Sequence, residues 1–375
     1  MRILYVTDAL AIWGGLERVL VEKANSLATY DDYKVFMLTI SQGNHPFPFP
    51  LDNEVAYRDL NIPFYAQYQY SGILRLLSMR RLHRDSRKGI RQQLDNIKPD
   101  VIVCPRIEFV KDICEVKGDT PLVFESHSSF WTSRFEGAGL LRRLHTWWMN
   151  LSAKRAQAVV TLTEGDAAEW RNVNKSVYVI PDICKVKSEE VKSEKWGGKS
   201  AVFVGRLSRQ KDIGSLLAIW QMVRQRHSDW QLHVYGEKGD VEESLWQQLQ
   251  KEGNGITVYP PTSDIMNLYQ QHTILLLTSR YEPFGMVLPE AMSCGLPVVA
   301  FDCPYGPADI ITDGVDGFLV KDRDLKDFAD KVCLLIENTD LCRQMGQTAI
   351  HSSQRYQADR IMPAWHELFG LLGAK

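Results

Sequence analysis

Short apolar runs alternate with longer stretches of helical period along the whole chain. An apolar run bounded by Gly, Pro or polar clusters reads as a strand buried on both faces. Stretches with apolar residues three and four apart read as the helices that connect such strands. In the first half the pattern predicts strands at 2–7, 34–39, 101–104, 122–127, 159–163 and 177–180. In the second half it predicts them at 201–205, 231–235, 256–259, 274–278, 298–301 and 318–320. Strands that alternate with helices pair in parallel, so the expected class is α/β with two Rossmann-like domains. The segment 185–199 is charged and closes on Gly197-Gly198, which makes it the expected linker between domains 1–184 and 200–357. Residues 358–375 read as a last helix, with Trp365, Leu368 and Phe369 on one side.

The strand expected at 274–278 leads into Glu282-Pro-Phe-Gly-Met-Val-Leu-Pro-Glu290, two carboxylates eight positions apart around a glycine turn. Glu282 falls at the carboxyl end of a strand, the edge where open α/β sheets bind ligands. Glu290 falls about one turn into a short helix expected at 286–293. Between them the N–H groups of Gly285, Met286 and Val287 stand at a helix start, which favours a phosphate. The order carboxylate, anion cradle, carboxylate matches the order of a nucleotide sugar: sugar hydroxyls, diphosphate, ribose. Two further segments have anion-binding character. Phe203-Val-Gly-Arg206-Leu-Ser-Arg-Gln-Lys211 ends a strand with two cations, Arg as a fork and Lys as a point charge, that together suit a leaving diphosphate. Trp13-Gly14-Gly15 opens a helix after the first strand without forming a dinucleotide fingerprint.

The Glu-x7-Glu run with Phe284-Gly285 inside it and Glu-Ala-Met-Ser-Cys-Gly-Leu-Pro-Val-Val after it resembles the signature of family 4 retaining glycosyltransferases of the GT-B fold. Gly-Arg-Leu-x-x-Gln-Lys at 205–211 is similar to a second motif of that family. The resemblance implies two Rossmann-like domains facing a deep cleft, with the last helix crossing back to the first domain. It implies that Gly14 and Gly15 lie against the donor diphosphate, and that His127, at the end of Pro-Leu-Val-Phe-Glu-Ser-His, contacts the donor sugar. It also implies that Glu282 holds the sugar, with Phe284 beside it, and that Arg206 and Lys211 stabilise the departing diphosphate. Glu290 would bind ribose. Taken alone, His127 is more simply a structural histidine; Glu125, on the same sheet face, is a weaker second candidate.

Composition narrows the class. With 45% hydrophobic and 24% charged residues and a net charge of -2, the chain has no basic excess that would argue for nucleic acid. No window is long enough to span a membrane, and the amino end reads as a strand and not as a signal peptide, so a cytoplasmic location is expected. Seven cysteines without a C-x-x-C read as reduced thiols, Cys294 and Cys303 near the candidate site included. Asp322-Arg-Asp324 fits a D-x-D metal pattern, yet it stands between a strand and a helix and reads better as a cap. No metal and no cofactor are expected.

Two basic segments bear on the acceptor, which the resemblance assigns to the first domain. From Ile73 to Lys98 there are eight Lys/Arg against two Asp, and Arg80, Arg84, Arg87 and Arg91 recur as one helix stripe. The stripe reads either as a solvated face or as a surface for anionic lipid or a pyrophosphate-linked acceptor, a peripheral contact with the inner face of the cell membrane. Leu140, Leu144, Trp147, Trp148 and Leu151 form an apolar helix face for which packing on the sheet is the expected role, with membrane contact the alternative. Glu237-Lys-Gly239 and Val258-Tyr-Pro260-Pro261 depart from the family near the expected base, whereas Phe301-Asp-Cys-Pro-Tyr-Gly-Pro307 resembles bacterial members that build capsular or lipid-linked glycans. The expected function is transfer of a hexose or N-acetylhexosamine from a nucleotide sugar, with UDP favoured, to a glycan or lipid-linked glycan. The competing readings are a GT-B sugar-nucleotide epimerase or hydrolase and a non-catalytic sugar-nucleotide-binding module.

Overall fold

The computed structural model describes residues 1–132, 137–185 and 196–373, so most of the expected linker lies outside the described residues. The described residues divide into two compact units, the first comprising 1–132, 138–183 and 361–373 and the second 137, 184–185 and 196–360.

The first unit is built on seven parallel strands: β1 (Arg2–Thr7), β2 (Lys34–Thr39), β3 (Ala56–Asp59), β4 (Val101–Cys104), β5 (Leu122–Glu125), β6 (Ala158–Thr161) and β7 (Val177–Val179). Their order is β3-β2-β1-β4-β5-β6-β7, with Tyr5 of β1 opposite Met37 on one side and Val103 on the other. Interior strands are covered on both faces, and Ile3, Leu4, Tyr5 and Val6 are fully buried. They therefore read as unbroken apolar runs and not as alternation. The edge strand β3, Ala-Tyr-Arg-Asp, is half exposed and has no such run, which is why the sequence pattern misses it. β5 stops at Glu125 because the chain turns there, Ser126 Oγ donating to the Ser128 carbonyl at 2.7 Å. His127 is thereby a loop residue just past the strand. The helices used below are α1 (Gly15–Ala28), α2 (Gly72–Ile97), α3 (Ile107–Val116) and α4 (Leu140–Asn150).

The second unit carries β8 (Ser200–Val204), β9 (Gln231–Tyr235), β10 (Ile256–Tyr259), β11 (Ile274–Leu277), β12 (Val298–Asp302) and β13 (Gly317–Lys321) in the order β10-β9-β8-β11-β12-β13. Phe203, Trp220, Leu276, Val299, Phe301 and Phe328 belong to its core. Its helices include α5 (Ile213–Arg226), α6 (Val287–Ser293) and α7 (Leu325–Glu337). The closing helix α8 (Ala358–Gly373) starts in the second unit, and from Ile361 onward it belongs to the first, burying Ile361, Met362, Trp365, Leu368 and Phe369.

In each sheet the strand order reverses once, between β1 and β4 and between β8 and β11. The crevice beyond the carboxyl ends of strands at such a reversal is where open α/β sheets take ligands. No helix among the described residues is long and apolar enough to cross a membrane. All seven cysteines are free thiols, and all but Cys114 are buried.

Candidate active site

The reversal in the second unit is occupied by the two segments singled out by sequence. Arg206 and Lys211 follow β8, and Glu282 follows the neighbouring β11. The loops are tied together: Arg280 N–H donates to the Gln210 carbonyl at 2.8 Å, and Gln210 Nε2 donates to the Tyr281 carbonyl at 3.0 Å. The ammonium of Lys211 is in contact with Glu282 Oε1, which also accepts from Ser279 Oγ at 2.6 Å. Glu282 is only 4% exposed, and its backbone is fixed by bonds to Pro304, Tyr305 and Gly306 of 2.7, 3.0 and 2.9 Å. Gly306 is required for this approach, since a Cβ there would lie 1.7 Å from the Phe284 carbonyl oxygen. Arg206, by contrast, is exposed. The arrangement is a buried carboxylate clasped by one cation, with a second, exposed cation on the same loop.

Phe284 is buried against Tyr356, ring centres 5.3 Å apart, and so acts as an anchor of the loop. Gly285 adopts a φ of +96°, a conformation that disfavours any side chain. Met286 caps α6, which starts at Val287 and runs for only seven residues. A helix so short adds little macrodipole, and the donors offered to an anion are the loop amides themselves. Glu290 is buried in the first turn of α6. A buttress that sequence reasoning missed stands behind Lys211: the Arg323 guanidinium contacts Asp212 and the Ser279 carbonyl, and reaches the Thr278 carbonyl at 3.3 Å. Asp212 caps α5 in a left-handed conformation with φ 49°, uncommon for a residue with a side chain. Its position directly after Lys211 was the available signal. Asp324 caps α7, accepting from Asp327 N–H at 3.0 Å, while Asp322 pairs with Arg323 at 2.8 Å.

In the first unit the His127 side chain is 7% exposed and both ring nitrogens face carboxylates, Nε2 at 2.9 Å from Glu125 Oε1 and Nδ1 at 3.6 Å from Asp182 Oδ1. Buried Lys23 of α1 is in contact with the same Glu125 oxygen. Burial pulls the His127 pKa below the usual histidine range, with Asp182 opposing that shift and Lys23 and Arg106 adding to it. Ligand atoms of Glu125, His127 and Asp182 lie within 4.8 Å of one another, and Lys23 Nζ contacts Glu125, burial drawing the Lys23 pKa down to about 7. Nothing in the sequence pattern flagged Lys23 or Asp182. Gly14 and Gly15 stand at the start of α1, where a Cβ on Gly14 would lie 2.2 Å from Glu17 Oε2. Glu17 folds back over Gly14 and is held by Arg106 at 3.5 Å, so a carboxylate of the chain itself lies beside the expected anion cradle.

The basic stripe is not uniform. Arg80, Arg84 and Arg91 are exposed on α2, but Arg87 turns inward to Asp112 and Glu115 of α3, at 3.0 and 3.3 Å. The α4 face also departs from expectation. Leu140, Leu141, Leu144, Trp147 and Trp148 are exposed, Leu141 at 84%, and only Asn150 of that helix is buried. The first turns of α2 are likewise uncovered at Ile73, Leu74, Leu76 and Leu77. Helical period alone told which residues share a face, but not whether another element covers it.

Residues 13–182 match Glycosyltransferase Family 4, and residues 186–352 match Glycosyl transferases group 1. An uncharacterized glycosyltransferase of Haemophilus influenzae is 29% identical over 94% of this chain and 95% of its own length. The amylovoran biosynthesis glycosyltransferase AmsD of Erwinia amylovora is 28% identical over 98% of this chain and 99% of its own. The crystal structure of a TarM mutant of S. aureus, in complex with fondaparinux, alpha-GlcNAc-glycerol and UDP, superposes with a TM-score of 0.78 at 14% identity, covering 98% of this chain and 99% of that one. The two matched families span both parallel-sheet units, and the chain belongs to the glycosyltransferases of the GT-B fold.

Proposed function

We propose that the protein is a retaining, metal-independent glycosyltransferase of bacterial surface-polysaccharide synthesis, moving a hexose or N-acetylhexosamine from a UDP-sugar to a glycan or lipid-linked glycan. The observation that carries this reading is the Lys211–Glu282 clasp, with Arg206 on the same loop, at the strand reversal of the second unit. Glu282 takes the sugar hydroxyls, Arg206, Lys211 and the amides of Gly285 to Val287 take the diphosphate, and Glu290 takes ribose. His127, at the loop that follows β5, serves the sugar, as the family resemblance implies. Catalysis then comes from positioning and from stabilising the leaving diphosphate as its charge grows. The polysaccharide context follows the amylovoran relative, and UDP follows the ligand of the TarM structure. A screen of nucleotide sugars, read by nucleotide release with and without glycan acceptors, tests it. Release of free sugar regardless of acceptor would instead support a hydrolase. Turnover is expected to persist in excess EDTA; loss restored by Mg²⁺ or Mn²⁺ would refute metal independence.

The exposed apolar residues favour a peripheral contact with an anionic bilayer. Ile73, Leu74 and Leu77 project from α2 beside Arg80 and Arg84, a pairing of insertion and charge that suits an anionic headgroup layer. Each basic side chain near such a surface contributes about 1 kcal/mol, so changing Arg80, Arg84 and Arg91 to Gln is expected to weaken sedimentation with anionic liposomes by ~100-fold at low salt. Changing Ile73, Leu74 and Leu77 to Ser should weaken it on neutral liposomes as well. UDP affinity should be untouched in both, and a parent protein that ignores liposomes at low salt would remove this part of the proposal.

A further inference from the structure

Lys23 lies within α1 at 1% exposure, on the face where a helix packed on a sheet normally carries an apolar residue. A buried ammonium is costly unless paired, and burial draws the Lys23 pKa down to about 7, with Asp182 opposing that shift, so the group is still an ammonium over the lower range in which the imidazole titrates. Lys23 has two partners: Nζ donates to Glu125 Oε1, and on another side it lies 4.6 Å from the ring centre of Trp365 on α8. The same Glu125 oxygen is the one that His127 Nε2 approaches at 2.9 Å. Yet Nε2 makes no aligned hydrogen bond there. Lysine and histidine thus compete for one carboxylate oxygen, and the lysine holds it.

We propose that Lys23 is a positioning residue for His127: by claiming Glu125 Oε1 it keeps the imidazole from being locked onto that carboxylate as an imidazolium. The remaining charged groups around the ring set the balance that Lys23 tips. Asp182 faces Nδ1 and favours the protonated ring, while Arg106 opposes protonation. Glu17 also faces the ring from α1, and Asp8 pairs with Arg106 at 2.8 Å. Without Lys23, His127 would face Glu125 and Asp182 with one cation fewer beside it, a change that raises an imidazole pKa. The consequence for turnover rests on the proposed role of His127 at the sugar; the charge state of the ring does not.

The test measures the imidazole directly by NMR titration of the full chain, the His127 signal being the one absent from His127→Asn. In Lys23→Met its pKa is expected to rise by about one unit or more, tenfold in proton affinity. Lys23→Gln keeps a donor toward Glu125 while removing the charge, and serves if the methionine variant does not fold; it should raise the pKa in the same direction. Adding Glu125→Gln to either variant should reverse the rise. The acid limb of kcat should move to higher pH with the ring pKa in the single variants. An unchanged His127 pKa in a folded Lys23 variant, or a rise that Glu125→Gln does not reverse, overturns the proposal. If His127→Asn turns over like the parent, it is the sugar role of His127 that fails, and the titration still decides the role of Lys23.

Discussion

Replacing Lys211 with alanine is expected to lower kcat by ~100-fold or more, the cost of losing one preorganised charge that meets a developing anion. Before any donor binds, the ammonium is already held by Glu282, within a loop fixed by Gln210 and Arg280. Little reorganisation is then left for the reaction step, which is the physical reason a fixed charge outperforms water. Arg206→Ala should act in the same direction, but by a different balance: Arg206 is exposed, and on the proposed role it would have to be ordered on the diphosphate, so a larger part of its effect should fall on KM. Stopped-flow turnover with saturating donor separates the two. The fold complicates Lys211→Ala, because it strands a carboxylate that is 4% exposed, and breaking a buried pair is strongly destabilising. Pairing Lys211→Met with Glu282→Gln removes both charges and serves as the stability control. Unchanged kcat in a folded Lys211→Ala variant would mean that the clasp is structural.

Glu282→Gln and Glu290→Gln should fail in opposite ways. Glu282 Oε1 accepts from Lys211 and Ser279, so its carboxylate is oriented before a sugar arrives. The glutamine variant loses the charge and one acceptor direction, and is expected to keep UDP affinity while losing transfer by roughly 100-fold. On the proposed role of Glu290 at ribose, Glu290→Gln would remove a charge-assisted bond worth about 1.5–3 kcal/mol and should weaken UDP and UDP-sugar alike by ~10- to 100-fold. Calorimetry with UDP alone distinguishes them. Weakened UDP in Glu282→Gln with intact UDP binding in Glu290→Gln would reverse the assigned polarity of the motif.

The sequence by itself determined the architecture, because interior parallel strands must be apolar on both faces and β1, β4, β8, β11 and β12 therefore stand out as runs. It also marked the segment around Gly285, since a turn with φ of +96° leaves a glycine in the text. Edge strand β3 was illegible because half its surface faces water. The partnerships were illegible for a different reason: Lys211 and Glu282, or Lys23, Glu125 and His127, are far apart in the chain and meet only through strand order and helix packing. A lysine at position 23 looks like any polar helix residue until the packing of α1 and α8 closes over it. The inward turn of Arg87 to α3, and the uncovered apolar faces of α2 and α4, were likewise decided in three dimensions. Periodicity fixes which side chains share a face, whereas what that face meets depends on which other elements the chain brings against it.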